Sequence, residues 1–247
     1  MNQSFYTSAV GAHQTQSRID VHGNNIANVN TSGYKAQKAV FSSLLYQNIR
    51  NIDDGDEKTG VGARLLSTTT DFTQGAMQTT GRAQDYMIEG DGFFALVELN
   101  SGDVTFTRNG SFSMAELKVQ TGQVDEQGNP VLESKFYLSD GDGRFVLSEM
   151  GTLIEMTDPM QPQAVGVFDY RNYDGILRME DSRYLPVDKN GGLLRGNGTV
   201  INGALEMSNV DLAEELTKVI ETQRIYSMAL KMVQTSDEIE QTINNLR

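Results

Sequence analysis

The chain has 247 residues, enough for one large domain or two modest ones, and its 20 basic residues against 33 acidic ones leave a formal net charge of −13. That charge opposes binding to nucleic acid or to anionic membrane, and the absence of cysteine excludes a disulfide framework, a thiol nucleophile and any Cys-based zinc site. The longest apolar run, Phe93-Phe94-Ala95-Leu96-Val97, is far short of the roughly 20 residues needed to cross a bilayer, and the N-terminal stretch has neither the basic region nor the apolar core of a secretory signal.

In chain order, Phe5, Ala9, Ala12, Gln16, Ile19, Gly23 and Ile26 recur at alternating four- and three-residue spacings, the period of a helical stripe. The stripe predicts a helix over residues 4–28, about 37 Å long at 1.5 Å per residue. Its few bulky apolar members do not stabilise an isolated helix, so it needs a partner. His13 and His22 are off the i, i+4 face that a helical metal pair uses.

The helix runs into Asn24-Asn25-Ile26-Ala27-Asn28-Val29-Asn30-Thr31-Ser32-Gly33-Tyr34-Lys35. Asparagine tolerates the left-handed backbone region, its amide competes with helical hydrogen bonds, and Thr31-Ser32-Gly33 supplies turn chemistry. Further on, Phe41 and Leu45 place an aromatic and an aliphatic side chain at i, i+4, a pair that can pack within the folded chain. Asp53, Asp54, Asp56 and Glu57 lie in a polar, glycine-punctuated stretch, and Asp140-Gly141-Asp142-Gly143 has a similar composition. Neither supplies the ligand frame of a calcium loop, and both read as solvated turns.

From Val61 to about Ile201, short runs rich in Thr, Val, Phe and Tyr are broken by turn signals such as Asn100-Ser101-Gly102-Asp103, Asn109-Gly110 and Asn190-Gly191-Gly192, which suggests an all-β domain. Val104 and Phe106 alternate with Thr105 and Thr107 as in a half-buried strand. The region has no Gly-x-Ser-x-Gly elbow and no phosphate loop. An acid pair such as Glu149 and Glu155 does not define glycosidase geometry, because the separation of the carboxylates is not written in the sequence. No catalytic, cofactor or metal residue is assigned.

Near the C-terminus, Ser208 with Asp211 reads as a capping box, and Asp211, Glu214 and Glu215 set negative charge on the positive end of a helix dipole. Leu212, Leu216, Val219, Gln223, Tyr226, Leu230 and Val233 form one heptad-like stripe; Ile225, Ala229, Met232, Ser236, Ile239, Ile243 and Leu246 form a second on an adjoining face. A helix from Asn209 to Asn245, about 55 Å long, carries more apolar surface than the shorter N-terminal helix covers. The expected fold class is α+β: two long terminal helices pairing as a coiled coil, with an all-β middle domain. Its segments are a helix and Asn-rich motif at 1–35, a connection at 36–75, a β-rich middle at 76–202 and the C-terminal helix at 203–247.

The stretch from Asn24 to Lys35 resembles the signature of the bacterial flagellar axial proteins, the rod and hook family, in which the first helix runs into such a sequence. Gly203-Ala204-Leu205-Glu206-Met207-Ser208-Asn209-Val210-Asp211 is similar to the segment that opens the family's C-terminal helix. Between them, Thr73-Gln74-Gly75-Ala76-Met77-Gln78-Thr79-Thr80-Gly81, Ile88-Glu89-Gly90-Asp91-Gly92-Phe93-Phe94 and Phe106-Thr107-Arg108-Asn109-Gly110-Ser111-Phe112 resemble family blocks; residues 113–200 match poorly. The resemblance implies that Asn24, Asn25, Ala27, Asn28, Thr31, Gly33, Tyr34, Ser208 and Asn209 are motif residues. It implies self-assembly through Phe5, Ile19, Ile26, Leu212, Leu216, Val219, Tyr226, Leu230, Val233, Ile239 and Ile243, and export recognition through Phe41 and Leu45.

What the resemblance implies about function is a non-enzymatic, structural subunit of the flagellar basal-body rod in the cell envelope, exported without a cleaved signal peptide. Its terminal helices would polymerise into a tube that transmits torque and houses the export channel. The implied partners are further copies of the chain, neighbouring rod and hook proteins and the export apparatus, with no cofactor, no nucleic acid and no membrane insertion. Residues 39–50 resemble the distal rod more than the proximal rod, whereas Phe5-Tyr6-Thr7 resembles the proximal one; the distal type is favoured. The alternatives are a hook or hook-like axial subunit, which would normally carry a larger outer domain, and, from another class, a β-rich extracellular carbohydrate-active enzyme with helical ends.

Overall fold

The computed structural model describes residues 3–43, 46–48, 58–60, 62–124 and 130–246. The chain divides into two units, one of Met1–Val29, Ala36–Phe72 and Val210–Arg247, the other of Asn30–Lys35 and Thr73–Asn209. The architecture is α+β, with a helix near each end and a β-rich middle.

In the first unit, α1 (Gln3–Ala27) and α2 (Leu212–Asn245) lie antiparallel. Ser4 Oγ stands 3.4 Å from Ser236 Oγ at one end of the pair, and His22 Nδ1 stands 2.7 Å from Glu215 Oε2 at the other. Gly11 and Gly23 lie within α1, each costing about 1 kcal/mol relative to Ala, so α1 depends on α2 for its stability. The start of α2 differs from the expected capping box. Asp211 itself is the N-cap, in an extended conformation, and its carboxylate accepts from Ala213 N at 2.9 Å and Glu214 N at 3.2 Å, satisfying two orphan donors of the first turn.

Residues between the helix and the β-rich middle are not a bare connection. Strand β1 (Gln37–Ser43) pairs antiparallel with β4 (Ala63–Thr70), with a bulge between Val40 and Phe41, and β2 (Tyr46–Asn48) pairs with β3 (Lys58–Gly60). Leu65 N donates to Gln14 Oε1 at 2.6 Å, tying β4 to α1.

The second unit contains β5 (Met77–Thr79), β6 (Tyr86–Glu89), β7 (Phe94–Val97), β8 (Val104–Thr107), β9 (Ser113–Val124), β10 (Pro130–Ser139), β11 (Phe145–Val146), β12 (Phe168–Tyr170), β13 (Leu177–Arg178), β14 (Arg183–Leu185), β15 (Leu193–Arg195), β16 (Thr199–Asn202) and β17 (Ala204–Glu206). Seven of them form an antiparallel sheet in the order β13-β14-β8-β7-β11-β10-β9, while β16 pairs with β6, β17 with β5 and β12 with β15. Tyr86, Ile88, Phe94, Leu96, Phe112, Leu138, Val146, Ile154 and Met156 are among the core residues, with the Phe94 and Phe112 rings edge to face at 5.3 Å. The half-buried alternation expected at Val104 to Thr107 does not hold: Thr105, Phe106 and Thr107 are all buried. The strand is central, between β14 and β7, and is covered on both faces. Thr107 tolerates this by donating its hydroxyl to Ser182 O.

Candidate self-assembly surface and its buried anchors

The Asn-rich motif works through its amides rather than through left-handed backbone. Among the described residues of the motif only Gly33 has positive φ, at 68°. Asn28 Nδ2 donates to Asn24 O at 2.9 Å, satisfying a carbonyl of the last turn of α1. Asn25 is fully buried; its amide accepts from Gln37 N at 2.9 Å and donates to Gln37 O at 2.8 Å, pinning the start of β1 to the helix end. A Cβ on Gly33 would fall 2.4 Å from Asn109 N, so glycine is required there by both space and φ. Thr31 O accepts from Tyr34 N, and Ala27 and Thr31 are exposed.

Within the β unit, three positive groups and one carboxylate gather around residues 33–35. Lys35 Nζ donates to Glu206 Oε1 at 2.6 Å and to Thr73 O at 2.7 Å, with both side chains 1 % exposed. Glu206 Oε1 also accepts from Gly75 N at 2.8 Å, and Glu206 Oε2 lies 3.4 Å from Arg108 Nη1. Arg178 covers the Tyr34 ring at 4.2 Å and donates to Lys35 O. Asn209 Nδ2 donates to Thr73 O and Oγ1, and Asn209 N donates to Tyr34 O, next to half-buried Ser208. Lys35 from the Asn-rich stretch and Glu206 from the C-terminal segment thus meet as a buried ion pair, and Asn209 joins Lys35 on the Thr73 carbonyl. Nothing in the sequence marked Lys35, Arg108, Arg178 or Glu206 as buried, because charged residues in short strands read as solvent-facing.

Along α2, only Glu215, Lys218, Val219, Thr222, Tyr226, Ala229, Val233 and Ser236 are buried or half-buried among the described residues. Apart from Lys218 they follow a 4-3 spacing that runs between the two stripes read from the sequence. Val219, Tyr226 and Val233 belong to the first stripe, Ala229 and Ser236 to the second, and Glu215 and Thr222 to neither. On α1 the buried positions are Ala12, Val21, His22 and Asn25, while Phe5, Ile19 and Ile26 are half-buried. The seam is thus lined largely by small and polar side chains. Leu212, Leu216, Ile225, Leu230, Met232, Ile239 and Ile243 are each 41–59 % exposed, and by helical spacing they fall into two bands that flank the seam, Leu212, Leu216 and Leu230 on one side and Ile225, Met232, Ile239 and Ile243 on the other.

Glu215 is the electrostatic centre of the seam. It accepts from His22 Nδ1 at 2.7 Å, from Asn25 Nδ2 at 3.3 Å and from Lys218 Nζ at 3.1 Å. Burial disfavours its charge, but the hydrogen bonds from His22, Lys218 and Asn25 outweigh that and hold its carboxyl below the ordinary carboxylate range. A carboxyl lowered on folding contributes stability that is fully present above its unfolded value of about 4.3 and is lost as pH falls through the folded value. Helical circular dichroism titrated from neutral into acid is therefore expected to fall for the wild type. Glu215→Gln, which has no carboxyl to titrate, should start from a less stable helix pair and show a smaller acid-dependent loss; superimposable curves would remove Glu215 from this role.

Phe41 lies on β1 beside the bulge, opposite Leu65, and is 36 % exposed; Leu45 lies outside the described residues, as do the acidic residues 53–57. His13 is exposed and His22 is buried on Glu215, so the two histidines serve different surroundings. Asp140 forms a turn in which its carboxylate accepts from Asp142 N and Arg144 N, and it pairs with Arg144 Nη1 at 2.6 Å. Glu149 pairs with Arg195, and Glu155 with Lys135 at 2.9 Å. Each of the two carboxylates named as an acid pair is thus engaged by its own cation. No helix among the described residues is long and apolar enough to cross a membrane.

Family models match three parts of the chain: "Flagella basal body rod protein" at residues 5–35, "Flagellar hook protein FlgE/F/G D1 domain" at 87–162 and "Flagellar basal body rod FlgEFG protein C-terminal" at 201–246. The flagellar basal-body rod protein FlgG of Buchnera aphidicola subsp. Schizaphis graminum is 31 % identical over the full length of both chains. FlgG of Bacillus subtilis is 30 % identical, again over the full length of both. The flagellar hook-basal body complex protein FlhP of Bacillus subtilis is 28 % identical over the same extent. Asparagine amides that close the end of α1, residues 33–35 anchored to the C-terminal segment within the β unit, and whole-length likeness to these relatives agree: the chain belongs to the flagellar basal-body rod protein family.

Proposed function

We propose that this protein is a structural, non-enzymatic subunit of the flagellar basal-body rod, of the distal type. Its α1 and α2 pack as a coiled coil and join those of neighbouring copies in a tube that transmits torque and encloses an export channel. The observation that carries this reading is the apolar surface left over on α2, where Leu212, Leu216 and Leu230 on one side of the helix pair and Ile225, Met232, Ile239 and Ile243 on the other remain exposed. Exposed apolar bands on both sides of a helix pair mark interaction faces, and a heterologous contact that does not close propagates as a helical filament. Its neighbours are further copies and adjoining rod and hook proteins in the cell envelope. Locating a tagged copy by electron cryo-microscopy of isolated basal bodies tests the reading; density for the tag outside the rod overturns it.

Export through the flagellar apparatus, without a cleaved signal, uses the Phe41 and Leu45 pair on the unfolded chain. Phe41 is partly exposed at a strand bulge, so its removal takes little from the folded unit. Phe41→Ala is expected to lower the secreted fraction several-fold at equal intracellular abundance while the purified variant keeps its fold. Unchanged secretion leaves Phe41 with a packing role only.

A further inference from the structure

The helix pair has a seam that is poorly suited to choosing its own register. Ala12 on α1 faces a partner whose seam rows are Thr222, Ala229 and Ser236 and, beside them, Val219, half-buried Tyr226 and Val233; apart from Tyr226 these side chains pack about as well one heptad away. A slip that sets Ser4 against Ala229 or Ile243 instead of Ser236 keeps the 4-3 pattern of α2. What such a slip cannot keep is the polar cluster. His22, Asn25 and Glu215 are 7 %, 0 % and 6 % exposed, and the Glu215 carboxylate draws donors from both α1 residues. A one-heptad slip carries Glu215 either toward Thr15 and Arg18 or past the end of α1, away from His22 and Asn25.

We propose that His22 and Asn25 on α1 and Glu215 on α2 set the antiparallel register of the two helices. Asn25 is suited to this because Gln37 holds its amide from both sides, at 2.8 and 2.9 Å, so that the donor facing Glu215 is already oriented. The cluster is not optimised for stability. His22 Nε2 is buried with no hydrogen-bond partner among the described residues, a cost that an apolar residue would avoid. A buried polar group that costs stability and excludes other alignments is the usual register device of paired helices. This holds whatever the subunit assembles into.

The full chain contains no cysteine, so introduced pairs report register cleanly. Three variants are compared as dilute monomers under mild oxidation: Ser4→Cys with Ser236→Cys for the observed register, and Ser4→Cys with Ala229→Cys or with Ile243→Cys for one-heptad slips. Intramolecular disulfide yield is expected to favour the first pair in the otherwise native chain. In a His22→Leu, Glu215→Leu background that retains its helical circular dichroism, the slipped pairs should gain about tenfold relative to the first. Unchanged relative yields would overturn the proposal. A second comparison holds even where the double-leucine chain does not fold. His22→Glu alone sets two carboxylates together and should lose the first disulfide, whereas His22→Glu with Glu215→His restores a carboxylate–imidazole pair and should recover it. Equal yields in those two variants would equally overturn the assignment.

Discussion

Replacing Glu206 by alanine is expected to lower the thermal midpoint of the β unit by about 10 °C. Removing one partner of a buried ion pair costs about 3–5 kcal/mol, and for a domain of about 150–250 residues each kcal/mol moves the midpoint by about 2–4 °C. The effect belongs at the upper end of single substitutions because Lys35 and Arg108 would both remain buried, each 3 % exposed or less, without the carboxylate they share. Gly75 N would also lose its acceptor. Glu206→Gln keeps two acceptor lone pairs for Lys35 and Gly75 and should lose clearly less. Differential scanning calorimetry with near-ultraviolet circular dichroism reads the result; a midpoint within about 2 °C of wild type would show that the cluster does not hold the two motif segments together.

Leu230→Asp is expected to have the opposite profile, leaving the subunit folded and abolishing assembly. Leu230 is 41 % exposed, beside the seam rather than in it, so the helix pair of the isolated chain loses little. In an assembled tube the same side chain would be covered. Burying a leucine contributes roughly 1.5–3 kcal/mol, and burying an unpaired carboxylate costs several kcal/mol more. That penalty recurs at every subunit of the polymer. Cells carrying the variant should be non-motile, with soluble monomer in place of rods, while the thermal midpoint of the β unit stays near that of wild type. Normal rods, or a β unit unfolded by this substitution, would each refute the division of labour between the exposed apolar bands of α2 and the β-rich middle.

The helices, the α+β class and the β-rich middle were legible in the sequence because each depends on local repetition. The 4-3 spacing from Phe5 to Ile26 and from Leu212 to Leu246 places α1 and α2 within three residues of where they stand, and turn residues punctuate the strands. The seam of α2 was not legible to the same degree. Two apolar stripes predict two contact faces, yet the positions that face α1 run between them and include Glu215 and Thr222. Hydrophobicity ranks side chains by transfer free energy, and a seam whose backbones approach closely selects size and hydrogen bonding instead.

By itself, then, the sequence determined which segments are helical, that an asparagine-rich stretch ends the first helix, and that the apolar surface of α2 exceeds what α1 can cover. All of these follow from residues close together in the chain, where periodicity and backbone preference act directly. The tertiary structure alone decided that Lys35, Arg108 and Glu206 share one buried site, that Asn25 and His22 meet Glu215, and that the strand from Val104 to Thr107 is covered on both faces. Those outcomes depend on groups up to 193 residues apart. A charged side chain is buried only where its counter-charge arrives from elsewhere in the chain, and that arrival is a property of the folded arrangement rather than of any local pattern.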